Sequence, residues 1–172
     1  PLDLAQEAFI TYATLAVERG SSGNNWAVLE SPSLVQNALV IEDNTKREEM
    51  LGYFLTVNAA RQDPLSTMAT KIANNVMWPE TMQYANTVSK FLTILMTVMD
   101  RNDPSLDLFG QYPEVPMSIA RESFLRYPNG EYILFGDGPR SASARQFVNE
   151  VAYVLAEMGG DLEMRDFFGA AI

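Results

Sequence analysis

Between Pro79 and Met99 lies the segment that most limits what this chain can fold into. Met82, Ala85, Val88, Leu92, Leu95 and Met99 recur at three- and four-residue spacing, and Phe91 and Met96 widen the stripe. An apolar stripe that wide does not suit a surface helix, so the segment reads as a buried helix and the central element of the fold. Its start is placed at Trp78-Pro79-Glu80, and that of a helix over Pro64 to Val76 at Asp63-Pro64, because proline at the first helical position loses no hydrogen bond.

The flanking segments are read in the same way. Asp3 to Arg19 puts Leu4, Ala8, Phe9, Tyr12, Leu15 and Ala16 on one side and stops at Gly20, which describes an amphipathic helix. Ser21 to Asn25 is a loop, after which Trp26, Val28 and Leu29 return the chain to the core; Leu34 to Ile41 fits helix or strand. Asn44 or Thr45 caps a further helix carrying Leu51, Phe54 and Leu55. Residues 101–117, with Pro104, Pro113 and Pro116, read as a long connection, and a division is placed at about residue 100. Beyond it come a short helix from Ser118 to Leu125, an Asn129-Gly130 turn, a strand over Tyr132 to Phe135 and a last helix from Ser141 to Met158. The expected fold is mainly α, a compact domain of about five to seven helices with one small β-hairpin or strand. Residues 1–100 form the helical core, and 101–172 are expected to pack with it as one unit.

Composition then bounds the chemistry. The 172 residues contain no Cys and no His, and 12 basic against 22 acidic residues give a formal charge of −10. Disulfides, thiolate nucleophiles, zinc fingers and imidazole-based triads are excluded, and no cofactor is expected. An enzyme would rely on carboxylates, Lys, Tyr or an oxygen-bound cation, so a non-enzymatic role is expected. The longest apolar run, Phe91 to Met99, is about half the roughly 20 residues of a membrane span. The first residues carry no basic segment and no apolar signal region, which gives the expectation of a cytoplasmic setting.

One local pattern suits anion binding. Gly136-Asp137-Gly138-Pro139 leads into a helix start bearing Arg140, Ser141, Ser143 and Arg145, where unpaired N–H groups and hydroxyls would receive a phosphate. The same residues also fit a turn and an N-capped helix whose arginines are solvated or paired with Asp137 and Glu150. From residue 101 onward every basic residue is an arginine, but the 11 acids in that stretch leave no basic face for duplex binding. Asp100 to Gln111 lacks the glycine and the final glutamate of a calcium loop. The nine Met residues read either as core filler or as an adaptable contact surface. Phe167, Phe168 and Ile172, in an apolar tail, read as an assembly interface or as part of the chain's own core.

Ala144-Arg145-Gln146-Phe147-Val148-Asn149-Glu150-Val151-Ala152 and Asp166-Phe167-Phe168-Gly169 resemble the two C-terminal blocks of flexuous filamentous plant-virus coat proteins. The resemblance implies a helical core, an RNA groove in which Arg145 and Asp166 take part with Ser141 or Ser143 near the phosphate, and arms that join subunits. The function expected is therefore a self-assembling capsid subunit, with copies of itself and single-stranded RNA as partners and the virion as its location. A helical adaptor or regulatory module is the alternative, and an enzyme using carboxylates with a divalent cation is a third class.

Overall fold

The computed structural model describes residues 2–125, 127–129, 131, 133, 135, 153 and 162–170. They are mainly helical: α1 (Leu2–Arg19), α2 (Asn25–Leu39), α3 (Asn44–Leu55), α4 (Leu65–Asn75), α5 (Met82–Asn102), a 3-10 turn (Pro104–Leu106), α6 (Leu108–Gln111), α7 (Glu114–Phe124) and α8 (Leu162–Gly169). Two compact units divide the chain, Pro1–Met68 and Ala69–Ile172.

In the first unit α1, α2 and α3 pack on one another around Ala13, Val28, Leu34, Val35, Ala38, Met50 and Phe54. The run from Leu34 belongs to a helix that begins nine residues earlier, capped by the Asn24 side chain, which accepts from the Trp26 N–H at 2.8 Å. That helix passes through Pro32. Trp26, expected to turn inward, is 58% exposed, and Leu4 and Tyr12 on α1 are also exposed. Gly20 ends α1 because the backbone closes in: a Cβ there would stand 2.6 Å from Glu30 Oε2, 2.8 Å from the Arg61 carbonyl oxygen and hard against the carbonyl of Ala16. The cap of α3 is Asp43, one residue before the expected position, with its Oδ1 accepting from the Lys46 N–H at 2.9 Å.

In the second unit α5 packs against α7, α6 and the 3-10 turn. Met82, Ala85, Val88, Leu92, Leu95, Met96 and Met99 are all buried, so the wide stripe is covered and the buried methionines are core filler. The helix starts at Met82, three residues after Pro79. Trp78 is buried just ahead of it, and the chain turns on Pro79, with the Glu80 N–H donating to the Trp78 carbonyl at 2.8 Å as in a γ-turn. The proline-punctuated stretch after Asp100 is largely helical, because its prolines occupy helix starts. Pro104 opens the 3-10 turn and Pro116 sits in the first turn of α7, where its missing N–H has no partner to lose. Helix α7 accordingly begins at Glu114, four residues before the expected Ser118. The Asn129 turn is present, its Oδ1 accepting from the Glu131 N–H at 3.1 Å. Tyr132 and Leu134 of the expected strand, and nearly all of the expected helix over Ser141 to Met158, lie outside the described residues.

Candidate functional site

The second unit holds a cleft of about 460 Å3 at the N-terminus of α5. That volume is within the range of roughly 300–1,000 Å3 common to small-ligand sites. Trp78 forms a wall, only 2% exposed; Met77 is half-buried, and Asn75, Pro79 and Phe135 give an exposed rim. The indole is held in place: its Nε1–H donates to Glu80 Oε2 at 2.8 Å, and Lys71 Nζ lies 5.3 Å from the ring centroid. Among the described residues of the lining, Glu80 is the charged one. Thr81, also in the lining, occupies the N-cap position of α5, yet its side chain does not cap the helix. It is 6% exposed, and its Oγ1 has no hydrogen-bond partner. A buried hydroxyl left in this state costs roughly 1–3 kcal/mol unless something binds it.

The backbone entering the cleft is strained. Val76, directly after the last residue of α4, has φ 70°, in the left-handed region that glycine usually fills at a helix end. For a β-branched residue this conformation costs about 1–2 kcal/mol. The Arg121 side chain of α7 reaches back to the Val76 carbonyl at 3.4 Å.

Helices α5 and α7 share a buried polar cluster. Glu122 has no exposed surface; Asn86 Nδ2 donates to its Oε2 at 3.0 Å, and Ser89 Oγ lies 3.0 Å from its Oε1. Ser118 Oγ is 2.6 Å from Ser89 Oγ and 2.7 Å from the Val115 carbonyl oxygen. Burial pushes the Glu122 carboxyl up from 4.5 to about 8, against the opposing effect of the bonds from Ser89 and Asn86. Proton counting agrees. A neutral Glu122 donates to Ser89, Ser89 donates to Ser118 and Ser118 donates to the Val115 carbonyl, so each hydroxyl hydrogen is used once and every short contact is a hydrogen bond. An ionised Glu122 takes the Ser89 hydrogen and leaves Ser118 with one hydrogen for two short contacts, to Ser89 Oγ and to the Val115 carbonyl. Because the carboxyl is enclosed, it touches no ligand and serves to fix α5 on α7.

Of the expected anion-site residues, Asp166 alone is among the described ones. Arg140, Ser141, Ser143 and Arg145 lie outside the described residues, as does Ile172. Asp166 is on α8, exposed, and its Oδ1 accepts from the Nε and Nη2 of its neighbour Arg165 at 2.9 and 2.7 Å. Phe167 and Phe168 belong to the same helix. The cleft and the Glu122 cluster were not among the expected sites. A signal for Glu122 exists in the sequence: Val115, Ser118, Ile119 and Glu122 follow one another at i, i+3, i+4 and i+7, so the acid stands on the buried stripe of α7.

Among the described residues the second unit is mainly helical, with the cleft at the start of α5, the longest of the described helices. The chain belongs to the family described as the endo-acting ulvan lyase 2nd domain, whose model matches residues 74–172, more than half of the sequence. The cleft and the Glu122 cluster both fall inside that segment. A curated relative, the endo-acting ulvan lyase of Formosa agariphila, is 23% identical over 138 residues. These cover 80% of this chain but 17% of the relative, so the chain spans about a sixth of that protein's length. No solved structure gives a significant match.

This assignment overturns the coat-protein reading and what depended on it: the capsid function, the RNA-binding role and the virion location. The helical adaptor reading finds no support either. The two C-terminal blocks behind the viral resemblance are short and lie within the segment that the lyase-domain family accounts for as a whole. The expectation of a non-enzymatic protein, and of a cytoplasmic one, falls as well, because the family takes its name from a polysaccharide lyase. The absence of Cys and His in 172 residues says little about catalysis in a relative nearly five times as long, and Tyr, Arg, Lys and carboxylates suffice for proton-transfer chemistry.

Proposed function

We propose that the chain is part of a polysaccharide lyase and contributes the hold on its polymer, with ulvan as the substrate class. The family match over residues 74–172 carries the reading. A lyase removes the proton on the carbon beside a carboxyl group and expels the glycosidic oxygen, and the sugar chain must be held in place while this happens. An enzyme that cuts in mid-chain needs an open surface for the polymer to lie across. The cleft suits this, with Asn75, Pro79 and Phe135 exposed along its rim, on a unit whose α5 and α7 are tied together by Glu122. At a net charge of −10 the chain has no general attraction for a polyanion, so the hold comes from local contacts.

Affinity electrophoresis tests this. In a native gel cast with ulvan, migration of the protein is expected to slow as polymer concentration rises, and high salt is expected to change the retardation little, because local contacts are screened less than a charged face. Migration unaffected by ulvan would refute the reading.

A further inference from the structure

The two tryptophans of the chain stand in opposite states. Trp78 is buried, with its Nε1–H donated to Glu80. Trp26, in the first unit, is 58% exposed, and among the described residues its Nε1–H has no hydrogen-bond partner. Its base, by contrast, is fixed. The Ser21 N–H donates to Glu30 Oε2 at 2.8 Å, Ser22 Oγ to the Ala60 carbonyl at 3.0 Å and the Gly23 N–H to Asp63 Oδ2 at 2.8 Å, so each residue of the preceding loop is tied to the rest of the unit. Asn24 closes the loop, donating to Ser21 Oγ at 3.0 Å and accepting from the Trp26 backbone N–H. That cap uses the N–H and not the ring, so the local fold makes no demand on the side chain at position 26. A large apolar ring on a tied loop, with its polar edge left free, is ready for contact at little further cost in entropy.

We propose that Trp26 is a stacking platform for a sugar ring of the polymer, with the indole face against the C–H face of a pyranose and the Nε1–H donating to a substituent of that ring. The inference rests on the polysaccharide reading above and adds a contact in the first unit, outside residues 74–172. Charge and area decide what the ring receives. At −10 the chain repels both a polyanion and a second copy of itself, so contact with either has to come from uncharged surface. A tryptophan supplies about 150–250 Å2, far short of the roughly 800 Å2 per partner of a stable protein interface, but enough to cover one face of one sugar unit. Stacking also accepts units that carry charged substituents, because the indole itself bears no charge. Two weak contacts on one polymer reinforce each other, so the platform and the cleft together hold more firmly than either does singly.

The test pairs affinity electrophoresis in ulvan with acrylamide quenching of fluorescence, on the 172-residue protein. Trp26→Ala keeps the backbone N–H that Asn24 caps, so circular dichroism is expected to show an intact fold. The polymer concentration that half-retards this variant is expected to rise roughly two- to tenfold over wild type. Trp26→Phe, with a smaller ring, is expected to fall between the two. Val40→Ala, which trims an aliphatic side chain of similar exposure in the same unit, is expected to match wild type. Acrylamide is expected to quench the exposed Trp26 and spare the buried Trp78, and ulvan to protect Trp26 from it. Equal retardation of Trp26→Ala and wild type, absence of protection, or a loss in Val40→Ala as large as in Trp26→Ala would overturn the platform while leaving the polymer-holding reading in place. A wild-type dimer, seen by sedimentation and dissociated by Trp26→Ala, would overturn it too, since the ring would then face a second copy. A wild type that ulvan does not retard would remove both.

Discussion

Glu122→Gln is expected to abolish most of a pH dependence that the wild type shows between about pH 5 and about pH 9. In the folded protein the Glu122 carboxyl titrates near 8, raised from 4.5 by burial, so between those values the native state holds a proton that the unfolded state has released. Stability therefore falls as pH rises. The contribution of the neutral carboxyl is complete below 4.5 and is lost as pH climbs through about 8, and by linkage the wild type gives up as much as roughly 4 kcal/mol over that range. Glutamine keeps the hydrogen bonds of the neutral acid: its Oε1 accepts from Asn86, and its Nε2 donates to Ser89, where the protonated carboxyl donated. Urea midpoints across the pH range are expected to coincide in acid and to separate in base, with the variant the more stable. Parallel curves would mean that Glu122 is ionised in the native state. Other titrating groups affect both proteins alike and drop out of the difference.

Leu92→Ala is expected to destabilise the protein by about 3–5 kcal/mol, the cost of an unfilled cavity in a site that does not collapse. Leu92 has no exposed surface and lies mid-way along α5, with Val88, Leu95 and Met96 also buried around it. Gln83, an exposed residue of the same helix, provides the control: Gln83→Ala is expected to stay within about 0.5 kcal/mol of wild type. Thermal or urea unfolding reads both. A surface helix would give two similar, small effects, whereas a central helix gives the contrast.

What could be read from the sequence followed from periodicity. The stripe of α5 is buried as its spacing predicts except at Phe91, which is half-buried, and α1 ends at Gly20 as its turn residue predicts. Local punctuation misled in both directions. Pro32 hid α2, because a proline in mid-helix normally argues for a break, while Pro104 and Pro116 suggested a loop where they open helical turns. Trp26 was expected inside on hydrophobicity alone, yet the Asn24 cap fixes it in the first turn of α2, where it is exposed.

The candidate site was harder to see because nothing about it is unusual in composition. Its residues, from Asn75 to Thr81, span the end of one helix and the start of the next, and Phe135 joins them from more than 50 positions away. A hydroxyl without a partner and a valine at positive φ become visible only in three dimensions. The tryptophan, glutamate and threonine of its lining are ordinary singly and informative only together.

The chain has two tryptophans, Trp26 and Trp78, and the first is exposed, so Trp26→Phe leaves the cleft wall as the sole indole at little cost in stability. Emission from Trp78 in this variant, titrated with ulvan, reports directly on whether the polymer occupies the cleft. A saturable change in intensity or wavelength, at the polymer concentrations that retard the protein in the gel, is the result predicted. Emission that stays constant throughout the titration would contradict the assignment of the cleft as the place where the polymer is held.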